Sequence, residues 1–166
     1  QMAPKGVLFF NSTGTIRQLD RGDIERQIAR IEDAAADLAA EGVDVIMIGG
    51  TPLFTAQGPG SDITTAKRIQ DKVKTPVTAG VTGEIAALKE LGIKKVVVAS
   101  PHQPDLDARL KAFLEASGFQ VVNIGGLGIK KNSEISKVSE HASYSLAKKL
   151  FFDSPEKPDG VFIPCP

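Results

Sequence analysis

The chain has 166 residues, with 20 basic and 20 acidic side chains and no net charge, so it lacks the basic surplus expected of a nucleic-acid binder. No apolar run reaches the roughly 20 residues that span a bilayer, and no basic-then-apolar leader opens the sequence. With 42% apolar residues and one cysteine, it reads as a cytoplasmic enzyme or binding protein of one domain or two small lobes, without an internal disulfide, a nucleic-acid partner or a membrane partner. Whether it forms a homo-oligomer is left open.

In chain order, Val7-Leu8-Phe9-Phe10 reads as a short buried strand. Ile24, Ile28, Ile31, Ala35 and Leu38 recur at three to four residues, predicting an amphipathic helix over 23–40 that Gly42 stops. A buried strand over 43–48 ends in Gly49-Gly50. A helix capped by Asp62 follows to Val73, then a weaker strand over 76–79 and a helix from Thr82 to Leu91. Further on come a strand over 96–99, a helix over 105–116 and a strand over 119–124. A long helix over 134–152 and a last strand over 160–163 complete the series. Strands apolar on both faces and separated by helices predict an α/β fold with parallel sheets covered on both sides.

There is also a faint repeat. The stretch Asp44–Thr51 lies over Asp159–Pro166 at an offset shared by the preceding helices and strands. Two related strand–helix–strand units would each end at a strand-to-loop junction, one carrying Gly50 and the other Cys165. In open α/β sheets, ligands bind beyond the carboxyl ends of strands, where Gly49-Gly50-Thr51, His102 and Cys165 are all expected. Cys165 reads either as a small buried hydrophobe or, between two prolines just past a strand, as a functional thiol. For Gly50 the alternatives are a tight turn with positive φ and backbone approaching a ligand, with Thr51 supplying its hydroxyl and amide. His102 reads as an ordinary loop residue or a polar contact, and His141 as a solvated helix position. Gly125–Lys131 is glycine-rich but lacks the spacing of a phosphate loop.

The ordered segments "GVDVIMIGGTPL", "TPVTAGVTGEIAALKELGIKKVVVASPH", "DLDARLKAFLEASGFQVVNIGGLGI" and "PDGVFIPC" resemble the aspartate/glutamate racemase superfamily, within it the branch of arylmalonate decarboxylases and maleate isomerases. The resemblance covers nearly all of the chain. It implies two pseudo-symmetric α/β lobes, residues 1–78 and 79–166, with the active site between them and further segments beyond both ends. Members of the superfamily typically place a cysteine after a strand in each lobe. In this chain the second is Cys165 and the first position is Gly50, as in arylmalonate decarboxylases.

That substitution has a physical logic. Racemisation needs acid/base groups on two faces of a carbon, whereas decarboxylation needs one proton donor because carbon dioxide vacates its own face. The resemblance thus implies a decarboxylase of a substituted malonate, with neither metal nor organic cofactor. Cys165 would protonate an enediolate, Thr51 and backbone amides would hold the retained carboxylate, and Leu53 would form part of an apolar wall around the leaving one. Three positions depart from the decarboxylase pattern. Pro52 replaces serine, His102 replaces tyrosine and Pro166 replaces glycine, so two donors are lost and one is exchanged. A racemase or isomerase acting on a small carboxylic acid is the alternative, and a non-catalytic small-molecule-binding module the next.

Overall fold

The computed structural model describes residues 5–14 and 21–164. Its strands form two parallel sheets. β1 (Ile46–Ile48) pairs with β2 (Val77–Ala79), Ile46 opposite Val77. In the second sheet β3 (Lys95–Ser100) is central, between β4 (Gln120–Gly126) and β5 (Gly160–Phe162). The β3–β4 ladder shifts register between Val96 and Val97.

Helices cover the sheets. α1 (Arg21–Ala40) and α3 (Ser61–Val73) pack with the first sheet, where Ile24, Ile46 and Ile69 are almost wholly buried. A short helix, α2 (Thr51–Thr55), follows β1 directly, and all five of its residues are buried. α4 (Gly80–Glu90) leads from β2 toward β3. α5 (Pro104–Ala116) buries Leu110 and Leu114 with Val96 and Val98 of β3, while its Phe113 enters the cluster around the first sheet. α7 (Glu140–Phe152), preceded by the single turn α6 (Asn132–Ile135), buries Ala147 and Leu150 with Val97 and Ala99. β3 is therefore covered on both faces, as the run Val96-Val97-Val98 requires. Among the described residues no helix is long and apolar enough to cross a membrane.

Four sequence expectations are corrected. Val7–Phe10 is not a strand: no described strand pairs with it, its backbone therefore has no ladder, and its side chains are 45–84% exposed. The repeat is accordingly a strand–helix–strand unit in its second copy only. Asp62 does not cap α3. Gly60 precedes that helix with φ 81°, and the Asp62 carboxylate accepts the Thr82 hydroxyl at 2.6 Å. α4 starts at Gly80, two residues before Thr82, because it continues straight from β2. The helix expected over 134–152 breaks between α6 and α7. There the Lys137 and Val138 amides close three-residue turns, and the Ser139 hydroxyl caps the new helix by accepting the Ala142 amide at 3.2 Å.

Candidate active site

β1 ends at Gly49-Gly50, and the turn into α2 is made by Gly50 at φ 97°, a left-handed conformation that glycine adopts without a Cβ clash. The Leu53 amide donates back to the Gly50 carbonyl at 3.0 Å. Because Ile48 pairs with Ala79, the next residues, Gly49 and Gly80, come close together. α4 therefore begins beside the turn, and one helical turn later it presents Glu84 to Thr51. The Thr51 hydroxyl donates to the Glu84 carboxylate, with its oxygens at 3.1 and 3.2 Å. Burial pushes the Glu84 carboxyl above its usual range, against the opposing effect of the Thr51 hydrogen bond.

A cavity of about 720 Å³ lies against this turn, within the size range of small-molecule sites. Gly49, Gly50, Pro52 and Leu53 line one part of it, Ser12, Thr13 and Gly14 another, and Ile135 and Asn132 a third. Thr51 does not line it, since its side chain is turned to Glu84. A second cavity, of about 340 Å³, opens at the carboxyl ends of β3 and β5 between Ser100, Pro101, Ile163 and Pro164. Ile135 lines both, so the two cavities adjoin at α6. The Arg109 guanidinium donates to the Ala56 carbonyl at 2.9 Å and so ties α5 to the end of α2.

Beyond β3, Ser100 donates to the Asp107 carboxylate and accepts the His102 amide at 3.0 Å. The carbonyls of Ser100, Pro101 and His102 accept the amides of Leu127, Ile129 and Gly128 at 2.9–3.0 Å. His102, held in this backbone staple, is 1% exposed and lines neither cavity. Among the described residues neither ring nitrogen has a hydrogen-bond partner, and Asp107 at 3.9 Å is too far to be one. Desolvation lowers the His102 pKa to about 4, so the ring is neutral at pH 7; the nearby Asp105 charge opposes that shift. Burial raises the Asp107 carboxyl, against the Ser100 hydrogen bond. Gly126 is required here: a β-carbon on it would lie 2.6 Å from the Asp107 carboxylate and closer still to the His102 carbonyl. The glycines of 125–128 thus serve close packing and a turn, Gly128 having φ 70°.

Of the residues singled out from the sequence, Gly50, Pro52 and Leu53 share one cavity, while Thr51 and His102 are buried and line neither cavity. Cys165 and Pro166 lie outside the described residues. Pro164, the residue before Cys165, is fully buried and lines the second cavity. Glu84 and Asp107 were not anticipated. Their signal was spacing: Glu84 falls on the stripe Val81, Ile85, Leu88 of α4, and Asp107 on the stripe Leu110, Leu114 of α5. An acid on the apolar stripe of a helix has to find a partner inside.

A profile of the arylmalonate decarboxylase family matches residues 1–166. The chain belongs to the arylmalonate decarboxylase family. It is 25% identical over 138 residues to the arylmalonate decarboxylase of Bordetella bronchiseptica, covering 83% of this chain and 57% of that protein. To the maleate isomerase of Alcaligenes faecalis it is 27% identical over 124 residues, 72% of this chain and 49% of the relative. The chain thus spans about half the length of these two curated relatives. Solved structures share the fold. A liganded double mutant of arylmalonate decarboxylase superposes with a TM-score of 0.85 at 22% identity, covering 89% of this chain and 63% of the other. The maleate cis-trans isomerase of Nocardia farcinica superposes at 0.88 with 18% identity, covering 96% and 66%. The α/β architecture of parallel sheets flanked by helices is therefore that of both enzymes.

Proposed function

We propose that this chain carries the site of a cofactor-independent decarboxylase acting on a substituted malonate. The observation that supports this most is Gly50. Gly50 is left-handed and lines a ligand-sized cavity, and the family resemblance assigns it the position at which racemisation would need a second acid/base side chain. Family membership and the decarboxylase relative agree with it.

In this reading one malonate carboxylate is retained and the other leaves. Leu53 and Pro52 give the cavity an apolar wall, which favours neutral carbon dioxide over the carboxylate it comes from. The Cα–carboxylate bond breaks, its electron pair passes into the retained carboxylate, and an enediolate forms. Thr51 and nearby backbone amides are the proposed donors to that charge, each worth about 3–4 kcal/mol in comparable oxyanion holes. The Cys165 thiol then gives its proton to Cα, and the thiolate is reprotonated by solvent. A thiol with a pKa near ~8.5 is mostly protonated at neutral pH, as this step requires. His102 joins the set as a neutral ring, which is buried and lines neither cavity, so it touches substrate only if the site rearranges. The proposed partner is a small carboxylic acid.

The test is carbon dioxide release from phenylmalonate by the full-length protein and by its Cys165→Ala variant. The account expects release by the parent and a loss of about 10²–10⁴-fold in the variant. Equal rates would overturn the assignment. A maleate isomerase is the second reading, favoured by the 27% identity to one such enzyme. Conversion of maleate to fumarate without carbon dioxide release would establish it.

A further inference from the structure

The Thr51 hydroxyl has one proton, and as the structure stands that proton is given to Glu84. An oxygen that donates to Glu84 offers only lone pairs to anything else. A substrate carboxylate is also acceptor-only, so it would meet lone pairs backed by a second negative charge. The two cannot share Thr51 while Glu84 is ionised. They can share it once Glu84 holds a proton: Glu84 then donates to the Thr51 oxygen, and the Thr51 side chain, buried and lining neither cavity while it faces Glu84, turns its O–H toward the cavity lined by its neighbours Gly50 and Pro52.

The surroundings favour this exchange. α4 packs against α2, α3 and β2. Neither α2 nor β2 has a titratable side chain. On α3, Lys67 pairs with Asp71, while Arg68 and Lys72 pair with Glu32 of α1, so these charges are engaged elsewhere. Asp62 of α3 is buried and accepts from Thr82, two residues before Glu84. Lys89 and Glu90 lie at the far end of α4 and are exposed. No ion pair to Glu84 occurs among the described residues, and its burial works in the same direction.

We propose that Glu84 is a positioning residue for Thr51, and that a ligand carboxylate reaches the Thr51 hydroxyl only with uptake of one proton onto Glu84. This rests on the proposed role of Thr51 toward the retained carboxylate. It adds a specificity device: the site selects acids that can bind with a proton, and Glu84 sets the pH at which they do.

The experiment is calorimetric binding of phenylmalonate to the full-length Cys165→Ala protein, which removes turnover, between about pH 5 and about pH 8. Maleate is a second probe, and buffers of different ionisation enthalpy report the protons taken up. Above the Glu84 pKa the dissociation constant should rise about tenfold per pH unit, with one proton taken up per ligand bound. Glu84→Gln, whose amide N–H2 donates to Thr51 permanently, should bind with a flat pH profile and no such uptake. If Gln destabilises the fold, Glu84→Met tests the same point, since it too frees the Thr51 proton. A carbon-13 titration of the Glu84 carboxyl should place its pKa above that of an exposed glutamate, and Thr51→Val should raise it further.

The same pH slope and proton uptake in wild type and Glu84→Gln would overturn the proposal, as would an ordinary Glu84 titration or no binding of either probe. The two readings fail separately. Binding with Glu84-dependent proton uptake, but no carbon dioxide from the cysteine-containing parent, would remove the decarboxylase and keep Glu84. Cysteine-dependent turnover with a pH-independent KM would do the reverse.

Discussion

Replacing His102 with phenylalanine should change how stability depends on pH. The imidazole is 1% exposed, without a hydrogen-bond partner among the described residues, and burial lowers its pKa from 6.5 to about 4. A histidine held neutral in the fold contributes stability that is complete above the unfolded pKa of about 6.5 and is lost as pH falls toward the folded value. At about 1.4 kcal/mol for each tenfold change, the whole loss is about 3 kcal/mol. Roughly 2 kcal/mol of it is spent between about pH 7 and about pH 5. Urea unfolding of wild type and His102→Phe at those two pH values isolates it. Asp107 is held high and shifts stability in the opposite direction, but it is present in both proteins and largely cancels in their difference. The stability of wild type relative to the variant should therefore fall by about 2 kcal/mol on acidification. His102→Asn, which also does not titrate, repeats the comparison if phenylalanine overfills the site. A flat difference would mean that the ring is not held neutral. A difference moving the other way would mean that it binds its proton in the fold, against Asp107.

Gly50→Cys should cost about 1–2 kcal/mol in urea unfolding, because φ 97° strains any residue with a β-carbon and that carbon would lie 3.0 Å from Leu53. If the variant folds, hydrogen exchange at Cα of the decarboxylated product should rise above the parent's, since a thiol now stands on the second face. Gly126→Ala should lose at least about 3 kcal/mol, or fail to fold, through collision with the His102 carbonyl and the Asp107 carboxylate; wild-type melting behaviour would refute that packing. Glu84→Gln should gain stability over wild type as pH rises from about 4.5 through the raised Glu84 pKa, because only the parent must ionise a half-buried acid. Parallel stability curves would contradict it.

What could be read from the sequence was what local pattern encodes. Val96-Val97-Val98 announced a strand covered on both sides, and the isoleucine spacing of 24–31 announced α1. Contacts from distant segments were not readable. A run such as Val7–Phe10 does not say whether a ladder partner exists. Ser136 and Ser139 did mark the break between α6 and α7, through hydroxyls that compete for backbone groups, but the surrounding helical pattern concealed it. α2 is too short for periodicity to reveal. At the site, Gly50 was legible because a glycine pair after a strand implies special backbone, and its φ of 97° agrees. His102 read as an ordinary loop residue because the segment that bonds to its backbone, Leu127 to Ile129, lies 25 positions or more along the chain. Glu84 was passed over because charges on helices usually face water, although its place on the stripe with Val81, Ile85 and Leu88 said otherwise.

The central claim is that one thiol protonates one face of an enediolate. It is tested most directly by incubating the full-length protein with 2-methyl-2-phenylmalonate in deuterium oxide and analysing the product by chiral chromatography and mass spectrometry. The account predicts one carbon dioxide per turnover, one enantiomer in large excess, one deuterium at Cα, and loss of all three in Cys165→Ala. A racemic product, or activity that persists without Cys165, would contradict it.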